Sequence, residues 1–293
     1  MAEFYFSAFA DEAADDLDGQ IDALHAAGIR FIEPRSVDKR GILDLSEDEL
    51  RAMRKKLDDA EIRVGSLGSP IGKYDIDADF ESYKATFEKA LLACSILGTA
   101  RMRMFSFFVG QDRLEEKRGE VLTRLSYMTE RAGEVGVTLC HENESHIYGQ
   151  MPREVSDLLS SLPALAGVFD PANFVVNGAD ALEGLRATLP SLAYLHIKDA
   201  SFTDGAILPA GEGDGHIGET LDIVDRHTDA PVMLTLEPHL HLFDAFKTID
   251  THTLKGRHAF RNNRESFAFA VRALEGVLTE RGYRKGDFGI WKK

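Results

Sequence analysis

Cysteine is scarce in this chain of 293 residues: there are two, Cys94 and Cys140. Two thiols cannot build a disulfide framework and fit a reducing compartment, so a cytoplasmic location is expected. No run of about 18 uninterrupted apolar residues occurs, which argues against a membrane span. The opening residues have neither a basic region nor a long apolar one, so no signal peptide is expected. Basic charge is in deficit, with 34 Lys and Arg against 49 Asp and Glu and a formal net charge of −15. That argues against nonspecific binding to nucleic acid or to an anionic membrane. The glycine signatures of nucleotide binding are missing too. There is no G-x-G-x-x-G, and the run Gly211 to Gly215 lacks the Gly-Lys-Ser/Thr ending of a P-loop. It is read instead as a turn that brings backbone close to a site.

What is present is an alternation of short β-rich runs and longer helical patterns, eight times over. The strands are read at Phe4 to Phe9, Arg30 to Glu33, Arg63 to Leu67, Arg101 to Phe107, and then in the apolar runs leading to Glu142, Asp170, His196 and Glu237. Helices follow each. Leu17, Ile21, Leu24 and Ala27 form a helical stripe closed by Gly28. Ser46 and Glu49 form a capping box, Pro152 suits a first helical turn, and Asp180 is a cap. A long loop from His239 to about Asn262 precedes the last helix. Strands alternating with helices imply a parallel sheet. Eight units in one chain of this length predict a (β/α)8 TIM barrel, a single α/β domain over residues 1–293.

Four stretches stand out: His141-Glu142-Asn143-Glu144, Phe169-Asp170-Pro171-Ala172-Asn173, His196-Ile197-Lys198-Asp199 and Leu236-Glu237-Pro238-His239. Each closes a buried strand. In a barrel such ends converge on one face, the face that carries active sites. Glu142, Asp170, His196 and Glu237 would then meet as three carboxylates and one imidazole. That donor set suits one divalent cation such as manganese, magnesium, cobalt or zinc in an open site, and not a closed structural zinc site. The shell would carry one net negative charge, which Lys198, Arg103 or a substrate would balance.

Side chains alternate faces along a strand, so neighbours of the same parity share the barrel mouth. Arg35 and Glu33 share a face at the end of strand two, where they would bind hydroxyls or a carboxylate, or form a rim ion pair. Arg103 has the parity of Phe105 and Phe107. Lys198 and His239 lie two residues past His196 and Glu237. Phe9 and Phe107 are candidates to wall a pocket. Cys140 is read as a small core residue.

These stretches, with Ser7 to Glu12, Ile32 to Arg35, Gly68 to Lys73 and Pro209 to Gly215, resemble the sugar phosphate isomerase/epimerase family of xylose isomerase-like TIM barrels. The likeness covers nearly the whole chain. It implies Glu142, Asp170, His196 and Glu237 as ligands of one divalent metal, manganese foremost, with Glu142 and Glu237 also the catalytic acid/base pair. It implies a small sugar or polyol-derived substrate and a homodimer or homotetramer. The implied activity is isomerisation or epimerisation, by proton abstraction beside a metal-chelated carbonyl and through an enediolate-type intermediate. The same acid/base residues serve a lyase or dehydratase acting on a keto-sugar or inosose. In one respect the chain departs from the family's ketose 3-epimerases. Tyr148 and Asn173 stand where those carry a second Glu and a His, which puts ketose 3-epimerisation itself in doubt.

Overall fold

Short apolar runs pair in parallel, one after another, around a ring. In the structure, a computed structural model that describes residues 2–241 and 257–293, β1 is Phe4–Ala8 and β2 is Phe31–Ile32. β3 comes in two pieces, Arg63–Val64 and Leu67–Gly68. β4 is Arg101–Met104, β5 Thr138–Glu142, β6 Ala166–Phe169, β7 Leu192–Ile197 and β8 Val232–Leu236. Each pairs in parallel with the next, from Phe31 opposite Arg63 round to His196 opposite Thr235, and β8 pairs with β1 from Phe4 opposite Val232 to Ala8 opposite Leu236. The ring closes between β1 and β2, where Glu33 N–H donates to the Ala8 carbonyl at 3.0 Å. The chain is therefore an α/β barrel with parallel strands, as its sequence predicts.

The helices on the outside are α1 Leu17–Ala27, α2 Glu47–Asp59, α3 Phe80–Leu97, α4 Leu114–Glu134, α5 Pro152–Ser161, α6 Ala181–Thr188, α7 Ile217–His227 and α8 Asn263–Glu280. Their ends follow from local chemistry. Ser46 and Glu49 make the reciprocal capping box of α2, Asp180 accepts from the Leu182 and Glu183 N–H groups, and Gly28 ends α1 in the left-handed region at φ 68°. Most of the apolar core lies between strands and helices. A second, smaller cluster of Cys140, Val168, Tyr194 and Met233 forms on strands β5 to β8. By strand parity these residues point into the barrel below the four candidate ligands. Cys140 is thus core, and burial pushes its thiol up to about 12.

Several expectations need correction. β3 is broken at Gly65 and Ser66, and there a Cβ on Gly65 would stand 2.5 Å from the Met233 sulfur. β4 ends at Met104, and Phe107 has φ 69°. That turn breaks the alternation, so Phe107 leaves the parity of Arg103. It packs on Phe80 and Tyr83 in the helical layer instead of walling the mouth. Phe105 lines the mouth in its place. An extra short helix, Pro171–Val176, follows β6 directly. A hairpin of Arg284–Lys285 with Ile290–Lys292 adds antiparallel to β1, Trp291 opposite Phe4. β2 reaches β1 only at its upper end, and the hairpin covers the lower edge that would otherwise be bare. The predicted loop from His239 to Asn262 falls largely outside the described residues. Among the described residues no helix is long and apolar enough to cross a membrane.

Candidate metal centre

The tips of Glu142, Asp170, His196 and Glu237 meet. Each offers one ligand atom, all four atoms lie within 4.8 Å of one another, and all four residues are buried. They come from the upper ends of β5, β6, β7 and β8. His196 Nδ1 stands 3.1 Å from Glu142 Oε1 and 3.4 Å from Glu237 Oε2. Asp170 Oδ2 lies 3.0 Å from Lys198 Nζ yet receives no well-aimed hydrogen bond. Burying several carboxylates together is costly unless cations compensate them. Burial pushes the Asp170 carboxyl up to about 7; Lys198 opposes this, and Glu237 and Glu142 add to it. The donor set and the poorly satisfied buried oxygen fit a divalent cation, with Glu142, Asp170, His196 and Glu237 as the residues that would hold it.

The imidazole is held from behind. His196 Nε2 faces Glu33 Oε2 at 3.4 Å, and Glu33 Oε1 accepts from the Tyr194 hydroxyl at 2.7 Å. A carboxylate behind a ligand histidine fixes which nitrogen faces the metal. This corrects the expectation for Glu33. It lies one layer below the mouth, fully buried, bonded to the Tyr194 hydroxyl and facing His196 without a well-aimed hydrogen bond, instead of facing a substrate. Burial works against its charge, but His196 and Arg103 hold the carboxyl below its usual range.

Arg35 does reach the mouth. It makes two hydrogen bonds of 3.0 Å to Asp11, one of 2.9 Å to Glu237, and one of 3.3 Å to Glu12. Arg103 Nη1 lies 3.3 Å from Glu142 Oε2. Lys198 Nζ sits between Asp170 and Glu237, the latter at 3.3 Å. Glu144 pairs with Lys73 at 3.0 Å. His239 is buried, its Nε2 3.4 Å from both Glu12 and Glu237. Phe9 is fully buried, edge-on to His196 at 5.1 Å and under Arg35 at 4.4 Å. Burial pushes Glu12 up to about 8, with Arg35 opposing and Glu237 adding.

Several contributors have no role in the sequence reading. Asp11 and Glu12 follow β1 and anchor Arg35; their place at a strand end was the available signal. The Asn143 side-chain amide donates to the Asp170 carbonyl at 2.9 Å and accepts from the Asp170 N–H at 3.0 Å, and so ties β5 to β6. Asn173 donates to Glu142 Oε1 at 3.3 Å. Tyr148 turns away, its hydroxyl donating to Asp157 at 2.8 Å. Asp199 accepts from the N–H groups of Gly211, Gly213 and Gly215 at 2.8 to 3.0 Å, which folds the glycine-rich loop.

The model of the xylose isomerase-like TIM barrel family matches residues 21–268. The chain belongs to the xylose isomerase-like TIM barrel family. Among solved structures it is similar to the probable 3-DHS dehydratase AsbF of Bacillus anthracis, at 16% identity over 94% of this chain and 99% of that one, with a TM-score of 0.71. It is similar to a D-psicose 3-epimerase of Clostridium cellulolyticum H10, solved with D-tagatose, at 12% identity over 93% and 98%, TM-score 0.71. A third is the IOLI protein with a binding zinc atom, at 15% identity over 94% and 99%, TM-score 0.70. At these identities the likeness speaks to the fold alone. No curated protein matches the chain at significance.

Proposed function

We propose that the protein is a divalent-metal-dependent isomerase or epimerase of a small sugar or polyol-derived carbonyl compound. The carrying observation is the meeting of three buried carboxylates and one imidazole within 4.8 Å at the barrel mouth. The similar epimerase solved with D-tagatose supports a sugar-like substrate. Manganese is the first choice of metal, and the zinc atom of a similar structure is a second. A divalent cation held by Glu142, Asp170, His196 and Glu237 would polarise a substrate carbonyl and make the neighbouring C–H acidic.

The chain's own residues have the remaining tasks. Glu142 and Glu237 approach from β5 and β8, on either side of His196. In this reading one takes the proton and the other returns one, with an enediolate-type intermediate between. Arg103 and Lys198 offset negative charge growing on substrate oxygens, at no cost of rearrangement because their carboxylate partners already hold them. Elimination from a keto-sugar or inosose is the second reading. Lys198, buried beside Asp170 and Glu237, favours it, because an ammonium there can hand a proton to a departing hydroxyl.

The test is metal analysis of purified protein, with a screen of keto-sugars and inososes read by mass spectrometry. The expected result is one bound divalent ion and a product of unchanged mass. A product lighter by one water selects elimination. Protein that retains no metal and gains no turnover on adding manganese ends the proposal.

A further inference from the structure

We propose that the substrate carries an acidic group, a carboxylate or a phosphate, received by a cationic cleft beside the metal centre; the inference rests on the metal-site reading above and names the substrate class for it. The cleft, of about 200 Å³, is lined by residues that follow β2 and β3 and by β4. Arg35, Lys39, Lys73 and Arg103 line it, against a single carboxylate, Asp44. In a chain with a net charge of −15, four cations around one cleft run against the composition.

Each of the four has an acidic partner: Arg35 has Asp11, Glu12 and Glu237, Lys39 has Asp15, Lys73 has Glu144, and Arg103 has Glu142. The position of those partners decides the argument. Glu142 and Glu237 belong to the metal centre. Charge that Glu142 gives to a divalent cation is no longer given in full to Arg103, so binding of the cation leaves that guanidinium under-compensated, while Arg35 keeps its two hydrogen bonds to Asp11. Arg103 is 4% exposed and its Nε meets no acceptor among the described residues. A buried donor without an acceptor is costly. A carboxylate or phosphate oxygen is the partner that a planar guanidinium takes best.

The walls suit the rest of such a molecule. The Phe105 ring lies under both Arg103, at 4.7 Å, and Lys73, at 4.6 Å. Pro70, exposed at the cleft, adds apolar surface, with Ile42 buried behind it. A carbon skeleton can lie against these groups while its acidic end faces the cations.

D-Fructose, D-fructuronate and D-fructose 6-phosphate share a ketone and differ only at C6, which bears a hydroxyl, a carboxylate or a phosphate group. Calorimetric titration of manganese-loaded protein should show one of the two anions binding at least about tenfold tighter than fructose. Which anion does so tells carboxylate from phosphate. In a Lys39→Met/Lys73→Met variant that advantage should fall below about threefold, with manganese stoichiometry, titrated separately, unchanged. Equal or undetectable binding of all three sugars by manganese-loaded protein overturns the proposal. So does an anion preference that survives both the double substitution and a separate Arg103→Met substitution. Wild-type protein that binds no manganese sinks the metal reading and this inference with it, and the separate manganese titration tells the two failures apart.

Discussion

Strands β5 to β8 are four to six residues long and end in Glu142, Asp170, His196 and Glu237. β2 and each piece of β3 are two residues long, and the chain after them supplies Arg35 and Lys73. One side of the barrel thus carries the candidate metal ligands at the ends of its longer strands, and the other carries Arg35, Lys39 and Lys73 after short strands. The difference follows from what each must hold. A metal centre tolerates little error in ligand position, so its donors sit on rigid elements. Substrate recognition varies more freely, and loops on a fixed scaffold serve it.

That contrast can be broken first through pH. Glu12, on the cationic side, has its carboxyl raised from the ordinary 4.5 to about 8 by burial, with Arg35 opposing. Between those values the folded chain keeps a proton that the unfolded chain has released. The resulting stability is fully present below 4.5 and is lost as pH climbs through 8. At about 1.4 kcal/mol per pH unit, the span is worth on the order of 5 kcal/mol. Urea unfolding of metal-free protein from pH 5 to 8 should show the decline, and Glu12→Gln should make it shallower, leaving the part due to Asp170, whose carboxyl burial raises to about 7. A wild-type curve with no slope would remove Glu12 from this account.

On the acidic side, Glu142→Gln should lower turnover by about 10²- to 10⁴-fold and weaken metal retention, while circular dichroism stays that of a folded barrel. Unchanged turnover takes Glu142 out of its proposed role. Glu33→Gln tests the join between the two sides, since Glu33 follows β2 but orients His196. Manganese affinity should drop roughly 10- to 100-fold. A titration indistinguishable from wild type would make Glu33 a mere core filler.

The acidic side was legible in the sequence because four strand ends each close an apolar run on a ligand-type residue. Length, alternation and the capping residues Ser46 and Asp180 were equally plain. The cationic side was harder to read. Two-residue strands carry no periodicity, so the break at Gly65 left no trace. Parity placed Glu33 and Arg35 on one face but carried no depth, and depth separates the residue behind His196 from the one beside Glu237. Phe107 was misplaced because the strand ends at Met104 and Phe107 itself turns left-handed, and nothing in Phe105-Ser106-Phe107-Phe108 announces either. The hairpin at 284–292 escaped because its partner is at the other end of the chain.

That last pairing bears on how the molecule comes to be. Phe4 and Tyr5 meet Trp291 and Ile290 across a long sequence separation, and contacts between such distant positions are slow to form. During synthesis the floor of the cylinder therefore stays unsealed until Ile290 and Trp291 have left the ribosome, whereas the strands bearing the four donors are already free to assemble.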